Sequence, residues 1–171
     1  AQVSGRIVRV LADFNTEVKK GDLLAEIDPT LLGAQVAQNQ AQLEASKASL
    51  ARSEANLRTA RMNLDRARKL LAENLASQAD VDTALGQHDA LTAEAAAARA
   101  SIRQISAQLQ YSRTSLKSAQ IFAPIDGIVI NRAIDPGQTV AASFQAPTLF
   151  VIAQDLRQMR IMADIDEADV G

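Results

Sequence analysis

One feature constrains this chain more than any other: an apolar residue every seven positions. Val36, Leu43, Leu50, Leu57, Leu64 and Leu71 follow at that interval, and the small residues Ser46, Ser53, Ala60 and Ala67 stand three positions after four of them. A strict seven-residue repeat keeps one stripe of a helix facing a partner helix and imposes a left-handed supercoil. Small side chains in the stripe predict that the partner approaches closely. The repeat breaks over Glu73-Asn74-Leu75-Ala76-Ser77. It then resumes through Val81, His88, Ala95, Ile102, Leu109 and Leu116, with Ala84, Leu91, Ala98, Ile105, Ser112 and Ala119 three positions later. Asn74 suits a helix C-terminus. Ser77 suits an N-cap, with Asp80 as the acid of a capping box. The pattern predicts helices over about 30–74 and 78–119, each roughly 65 Å long at 1.5 Å per residue. Near-equal lengths and a short break predict an antiparallel hairpin. Gly86 weakens the second helix locally by about 1 kcal/mol. Glu54–Arg58 and Asp65–Lys69, acid first at i,i+4, predict solvated helix surface.

Composition narrows the rest. Aromatic residues are 3% of the 171 and there is no Trp, which argues against one large globular core. Net charge is −2 from 18 basic and 20 acidic residues, so nothing demands a polyanionic partner and nucleic-acid binding is not expected. There is no cysteine, which excludes disulfides, thiol catalysis and thiolate metal sites. No apolar run reaches the length of a transmembrane helix, and no signal peptide is visible. Both ends read as cuts through a larger protein.

The ends of the chain carry β patterns. Gly5-Arg6-Ile7-Val8-Arg9-Val10 reads as a strand. Glu17 to Asp28 reads as strand, Gly turn, strand, closed by Pro29. After Gln120, Ile121 to Ile130 reads as strand, turn, strand, Asp135-Pro136-Gly137-Gln138 as a turn, and Thr148 to Ala153 as a strand. The segments resemble each other: Gly5-Arg6-Ile7-Val8 with Gly127-Ile128-Val129, and Val18-Lys19-Lys20-Gly21-Asp22-Leu23-Leu24 with Asp135-Pro136-Gly137-Gln138-Thr139-Val140. Neither half can bury its apolar face alone, so the hairpin must return its ends for the halves to pair. The expected organisation is α+β: half of a β-domain over 1–29, the helical hairpin over 30–120, the second half over 121–155, and the beginning of a β-barrel domain over 156–171.

Chemistry is sparse. His88 is the one histidine, at a stripe position, and reads as a polar interruption that helps set register rather than as a metal ligand. Asp164, Asp166, Glu167 and Asp169 lack the spacing of a calcium loop. There is no phosphate loop and no nucleophile motif, so no enzyme is expected.

The β repeat resembles the two halves of a biotinyl/lipoyl domain. Carrier versions hold a prosthetic group on a Lys at the turn joining the halves. Here Pro29-Thr30-Leu31 follows Glu26-Ile27-Asp28, with no Lys, so a covalent carrier is not expected and no cofactor is implied. Further motifs are Ala1-Gln2-Val3-Ser4-Gly5, Ile27-Asp28-Pro29, Ala123-Pro124, Gly137-Gln138-Thr139-Val140, Gln145-Ala146-Pro147 and Glu167-Ala168-Asp169-Val170. Their order around a long hairpin resembles the membrane fusion proteins, periplasmic adaptors of tripartite efflux pumps, and most of all their macrolide-efflux branch. The resemblance covers the whole chain.

That resemblance implies a lipoyl-like domain split by a coiled-coil hairpin and a location in the periplasm, associated with the inner membrane. It also implies a six-membered assembly linking a MacB-like ABC transporter, or alternatively an RND pump, to a TolC-like outer-membrane channel. A plain coiled-coil scaffold would leave the split β repeat unexplained. From the residues alone, Ser77 is an N-cap and Arg66 a solvated charge. The resemblance implies that Arg66, Leu70 and Ser77 dock the hairpin tip into the channel. It also places a gate loop at Ala142-Ser143-Phe144-Gln145. Phe144 stands where a polar gate is expected, with Gln145 beside it. A ring of Phe144 side chains could close by dewetting; the other reading is an ordinary loop or core aromatic.

Overall fold

A computed structural model describes residues 3–141 and 148–154. The segment 156–171, read above as the beginning of a β-barrel domain, lies outside these residues, as do Phe144 and Gln145. The chain divides into two units, Ala1–Pro29 with Lys117–Gly171, and Thr30–Leu116.

In the first unit, the strands are β1 (Gly5–Val10), β2 (Glu17–Val18), β3 (Leu23–Ile27), β4 (Gln120–Phe122), β5 (Gly127–Arg132), β6 (Thr139–Val140) and β7 (Phe150–Ala153). Strands from the two halves of the chain pair with each other: β1 with β6, β2 with β5 and β3 with β4. They form two antiparallel sheets, ordered β4-β3-β1-β6 and β2-β5-β7. Each sheet mixes both halves, so neither half closes its hydrogen bonds alone. Ala12, Val18, Leu24, Ala123 and Val129 make one core, with Ile121, Phe150 and Ile152 packed against it. Ile7, Ile27 and Ile134 are likewise buried.

The repeat is real, but its register differs from the one read in the sequence. Gly5 pairs with Val140 as Gly127 pairs with Val18. Ile7 donates to Gln138 O (2.8 Å) and accepts from Gly137 N–H (2.8 Å); Val129 donates to Thr16 O (3.0 Å) and accepts from Asn15 N–H (2.8 Å). Gly5 with Gly127, Ile7 with Val129, Asn15 with Gly137 and Val18 with Val140 all stand 122 positions apart. The counterpart of Asp135-Pro136-Gly137-Gln138 is therefore Asp13-Phe14-Asn15-Thr16, not the turn containing Gly21. The substitution of Asn for Gly hid it. Both turns need φ > 0 at their third residue, and Asn15 (φ 63°) and Gly137 (φ 90°) supply it. Gly5 and Gly127 match for a different reason. A Cβ on Gly5 would come within 2.5 Å of Ile27 Cγ2, and one on Gly127 would run into the Ala153 carbonyl.

The second unit is two helices, α1 (Thr30–Ala72) and α2 (Gln78–Lys117), of 43 and 40 residues. Its burial follows the seven-residue stripe. Leu43, Ser53, Ala60 and Leu64 of α1 are buried, as are Val81, Ala95, Leu109 and Ser112 of α2. The stripe is narrow and rich in small residues, so polar bonds cross it. Asn39 Nδ2 donates to Ser112 Oγ (2.7 Å) and Ser53 Oγ to Glu94 Oε1 (2.9 Å). Arg113 Nη2 donates to Gln40 Oε1 (2.9 Å) and Arg99 Nη2 to Glu54 Oε1 (2.8 Å). Glu54 thus bonds across the hairpin, where spacing alone had suggested Arg58. These links fix an antiparallel register. Lys69 and Lys117 lie in the last turns, where a positive charge is favoured by the helix dipole. Ala119 does not extend the stripe: α2 has ended, and Ala119 is buried in the β unit, accepting from Ile27 N–H (2.8 Å).

Candidate functional site

The hairpin tip is built by two complementary caps. At the end of α1, Asn74 takes a left-handed conformation (φ 59°). Leu75 N–H reaches Leu70 O (2.8 Å) and Asn74 N–H reaches Leu71 O (2.9 Å). That pair of bonds is a Schellman motif, which satisfies carbonyls the helix would otherwise leave open. At the start of α2, Ser77 N–H donates to Asp80 Oδ2 (2.9 Å) and Asp80 N–H to Ser77 Oγ (3.3 Å). This is a capping box with Asp in place of Glu. Ser77 Oγ also donates to Asp80 Oδ2 (2.7 Å). These bonds hold the Asp80 carboxyl below the usual carboxylate range, the side-chain bond from Ser77 being the larger cause and its backbone bond the next. The tip backbone is fixed by its own bonds on both sides.

The three predicted tip residues fall in this region with separate local roles. Arg66 is exposed one turn before Leu70. Leu70 is 36% exposed and its carbonyl anchors the C-cap. Ser77 is exposed and closes the N-cap. The sequence reading missed Leu75, 70% exposed in the turn itself, and Met62, 59% exposed two turns before Leu70. Leu75 had a signal: it is the residue after a left-handed Asn, where a Schellman motif commonly sets a hydrophobic side chain against the last helical turn. The tip thus presents apolar side chains beside Arg66, with the N–H groups of Asn74, Leu75, Ser77 and Asp80 already bonded. Those bonds reduce the number of polar groups that lose water on contact.

Elsewhere the structure offers little chemistry. Among the described residues no cluster of His, Cys, Asp or Glu could hold a metal ion. His88 Nδ1 lies 3.1 Å from Asp89 Oδ1, its neighbour on the same helix. No described helix is long and apolar enough to cross a membrane. An apolar cleft of about 330 Å³ in the β unit is lined by Leu24, Ile121, Phe122 and Phe150 among others, with Thr148 its one polar lining residue. Nothing converges there to orient a reactant.

In the β unit, Arg132 joins the two equivalent turns. Its Nε donates to Asp13 Oδ1 (3.1 Å) and its Nη1 to Asp135 Oδ1 (2.7 Å). The Asp135 bond, with the Asp13 charge behind it, holds Arg132 above its ordinary value. Asp13 is pulled below its own, first by the Phe14 N–H and then by the Arg132 charge.

In sequence and in fold the chain is similar to known proteins. Residues 1–168 match the family described as "RND MFP, barrel-sandwich hybrid domain". The macrolide export protein MacA of Yersinia pestis is 34% identical over 170 residues, covering 99% of this chain and 46% of that protein. The pyoverdine export membrane fusion protein PvdR of Pseudomonas putida is 36% identical over 171 residues, covering 100% and 43%. The crystal structure of MacA from Actinobacillus actinomycetemcomitans superposes with a TM-score of 0.87 at 34% identity, over 99% of this chain and 52% of that one. The chain thus spans about half the length of the relatives it matches.

Proposed function

The chain belongs to the membrane fusion protein family, and from that premise we propose that it is a periplasmic adaptor of a tripartite efflux pump. It bridges an inner-membrane ABC transporter of the MacB type and a TolC-like outer-membrane channel, and it sits in the periplasm in association with the inner membrane. Its task is mechanical: it catalyses no reaction and carries no cofactor. One observation carries this reading, a hairpin of 43- and 40-residue helices whose turn is capped on both sides and carries exposed Arg66, Leu70 and Leu75. A capped tip with apolar side chains suits docking to another protein. The names borne by the relatives, macrolide export and pyoverdine export, support an export role.

In this reading Arg66 and Leu70 make the contact with the channel, and Ser77 holds the turn that presents them. Self-association, as a hexamer, surrounds the export path. We assign Phe144 and Gln145 to the gate on that path, as the family resemblance implies, and a ring of Phe144 closes it by dewetting. Phe144→Ala should then raise leak through the assembled pump, and unchanged export and leak would remove Phe144 from the gate.

The docking test is co-purification of the channel protein with the adaptor from cells. Leu70→Ser should reduce recovery of the channel about tenfold while leaving helicity unchanged, since a central apolar anchor typically dominates such a contact. Undiminished recovery would overturn docking at the tip. Recovery of an RND pump instead of an ABC transporter would reassign the inner-membrane partner.

A further inference from the structure

The two flanks of the seven-residue stripe differ in charge. Four positions after the stripe residues Val36 to Leu64 stand Gln40, Lys47, Glu54, Arg61 and Arg68. On α2, the same offset from Val81 to Leu109 gives Arg99 and Arg113 among the neutral Leu85, Thr92 and Ser106. These positions hold five bases and one acid, and all five bases are exposed. The other flank lies one position before each stripe residue, Gln35 to Leu70 and Asp80 to Ser115 in steps of seven. It holds amides, hydroxyls, one Leu and the acids Asp80 and Glu94, with no base. The net charge of −2 conceals this division.

Hydrogen bonds show that the basic flanks of the two helices make one face. Arg99 Nη2 reaches Glu54 (2.8 Å) and Arg113 Nη2 reaches Gln40 (2.9 Å), each bond joining one basic flank to the other. Seven-residue steps in opposite directions from these bonds set Lys47 level with Ser106, Arg61 with Thr92 and Arg68 with Leu85. No acid faces a base at any of these further levels. Lys47 pairs instead with Glu44 on its own helix (3.1 Å), and Arg113 meets only a neutral amide. Arg61 and Arg68 take no ion pair among the described residues. From Gln40 to Arg68 the face runs about 42 Å along α1 at 1.5 Å per residue. Positive charge thus lies in a line, with its surplus uncancelled inside the hairpin.

We propose that this face binds an extended polymer rich in carboxylates, the glycan–peptide network of the cell wall. A line of bases this long suits a polymer lying along the hairpin better than a compact anion. Guanidinium groups match carboxylates with paired N–H donors, and four of the five bases are Arg. A lipid surface fits less well. Helices that lie on membranes set apolar side chains into the acyl boundary beside their bases, and this face offers only Leu85, 37% exposed. The opposite flank, without a base, has no attraction for the polymer, so the hairpin meets the wall with one face. The proposal rests on the periplasmic placement argued above and adds a partner other than channel and transporter.

The test is co-sedimentation of the chain with purified cell-wall sacculi. Binding should occur at low salt and fall as salt screens the charges. Arg61→Glu with Arg68→Glu should weaken it at least about tenfold, because attraction becomes repulsion along half the face. Arg52→Glu with Lys69→Glu makes the same change of charge on the outer edge of α1, opposite the stripe, and should weaken it far less. Equal losses from the two pairs would make net charge the cause and overturn the proposal. A second measurement leaves the protein unaltered: amidating the sacculus carboxylates should abolish binding. No sedimentation with untreated sacculi, or binding that survives amidation, would overturn the proposal, as would stronger binding to phosphatidylglycerol vesicles than to sacculi. None of these substitutions touches Leu70. Channel recovery that depends on Leu70 without sacculus binding sinks this proposal alone; sacculus binding with channel recovery indifferent to Leu70→Ser sinks docking alone.

Discussion

In the hairpin, facing residues are joined through a single turn, Glu73 to Ser77, and each level is held by its own small set of contacts. In the β unit, the partners come from opposite ends of the chain, and Ile7 and Val129 are each clamped by a turn of the other half. The hairpin can lose a level and keep the rest. The β unit shares one core between two halves and two sheets, so damage to either half reaches both. This contrast separates the labour. The β unit is a closed frame with few replaceable parts, while the hairpin is a long repetitive strut whose surface can be changed to suit a partner.

Substitutions can break that contrast or sharpen it. The largest effect is expected from Gly127→Val, whose Cβ meets the Ala153 carbonyl and adjoining backbone. A backbone clash in a shared core should cost about 4 kcal/mol or more and unfold both halves together in denaturant titration. Leu64→Ala removes a buried side chain from the stripe (3% exposed) and should cost about 2–3 kcal/mol. Its effect should remain local, with faster hydrogen exchange in the turns around 64 and unchanged exchange in β1 and β5. If instead the β strands were loosened equally, the two units would not be independent. Asn74→Val forces a β-branched residue into a left-handed conformation and should cost about 1–2 kcal/mol, with fraying confined to the tip.

The smallest effect is a matter of pH. The folded value of Asp80 is depressed, so its capping contribution is complete above the ordinary Asp value of about 3.9 and is lost as pH falls through the lower folded value. Exchange at the first turn of α2 should therefore accelerate only in acid. Asp80→Asn should abolish that acid dependence; a dependence that survives would assign it to another group.

The hairpin was legible in the sequence because its determinants are local. A seven-residue stripe, Asn74 and the Ser77–Asp80 pair dictate helices and turn without reference to the rest of the chain. The β repeat was half legible. Gly5 and Gly127 marked its starts, but Gly21 drew the eye from Asn15, because Asn meets the same backbone demand as Gly137 with a different letter. The Arg132 link to Asp13 and Asp135 was not legible, since it joins residues whose only relation is the folded repeat. Arg66, Leu70 and Ser77 owed their selection to family resemblance. The exposed Leu75 beside them emerges only from the cap geometry.

If function resides at the tip and the β unit serves as frame, binding should leave its mark in one place. The direct measurement is hydrogen exchange of the chain with and without the purified TolC-like channel protein. Added protection at residues 66–77, with β1 and β5 unchanged, is the expected result. Protection centred on the β unit, or none at the tip at saturating channel, would contradict it.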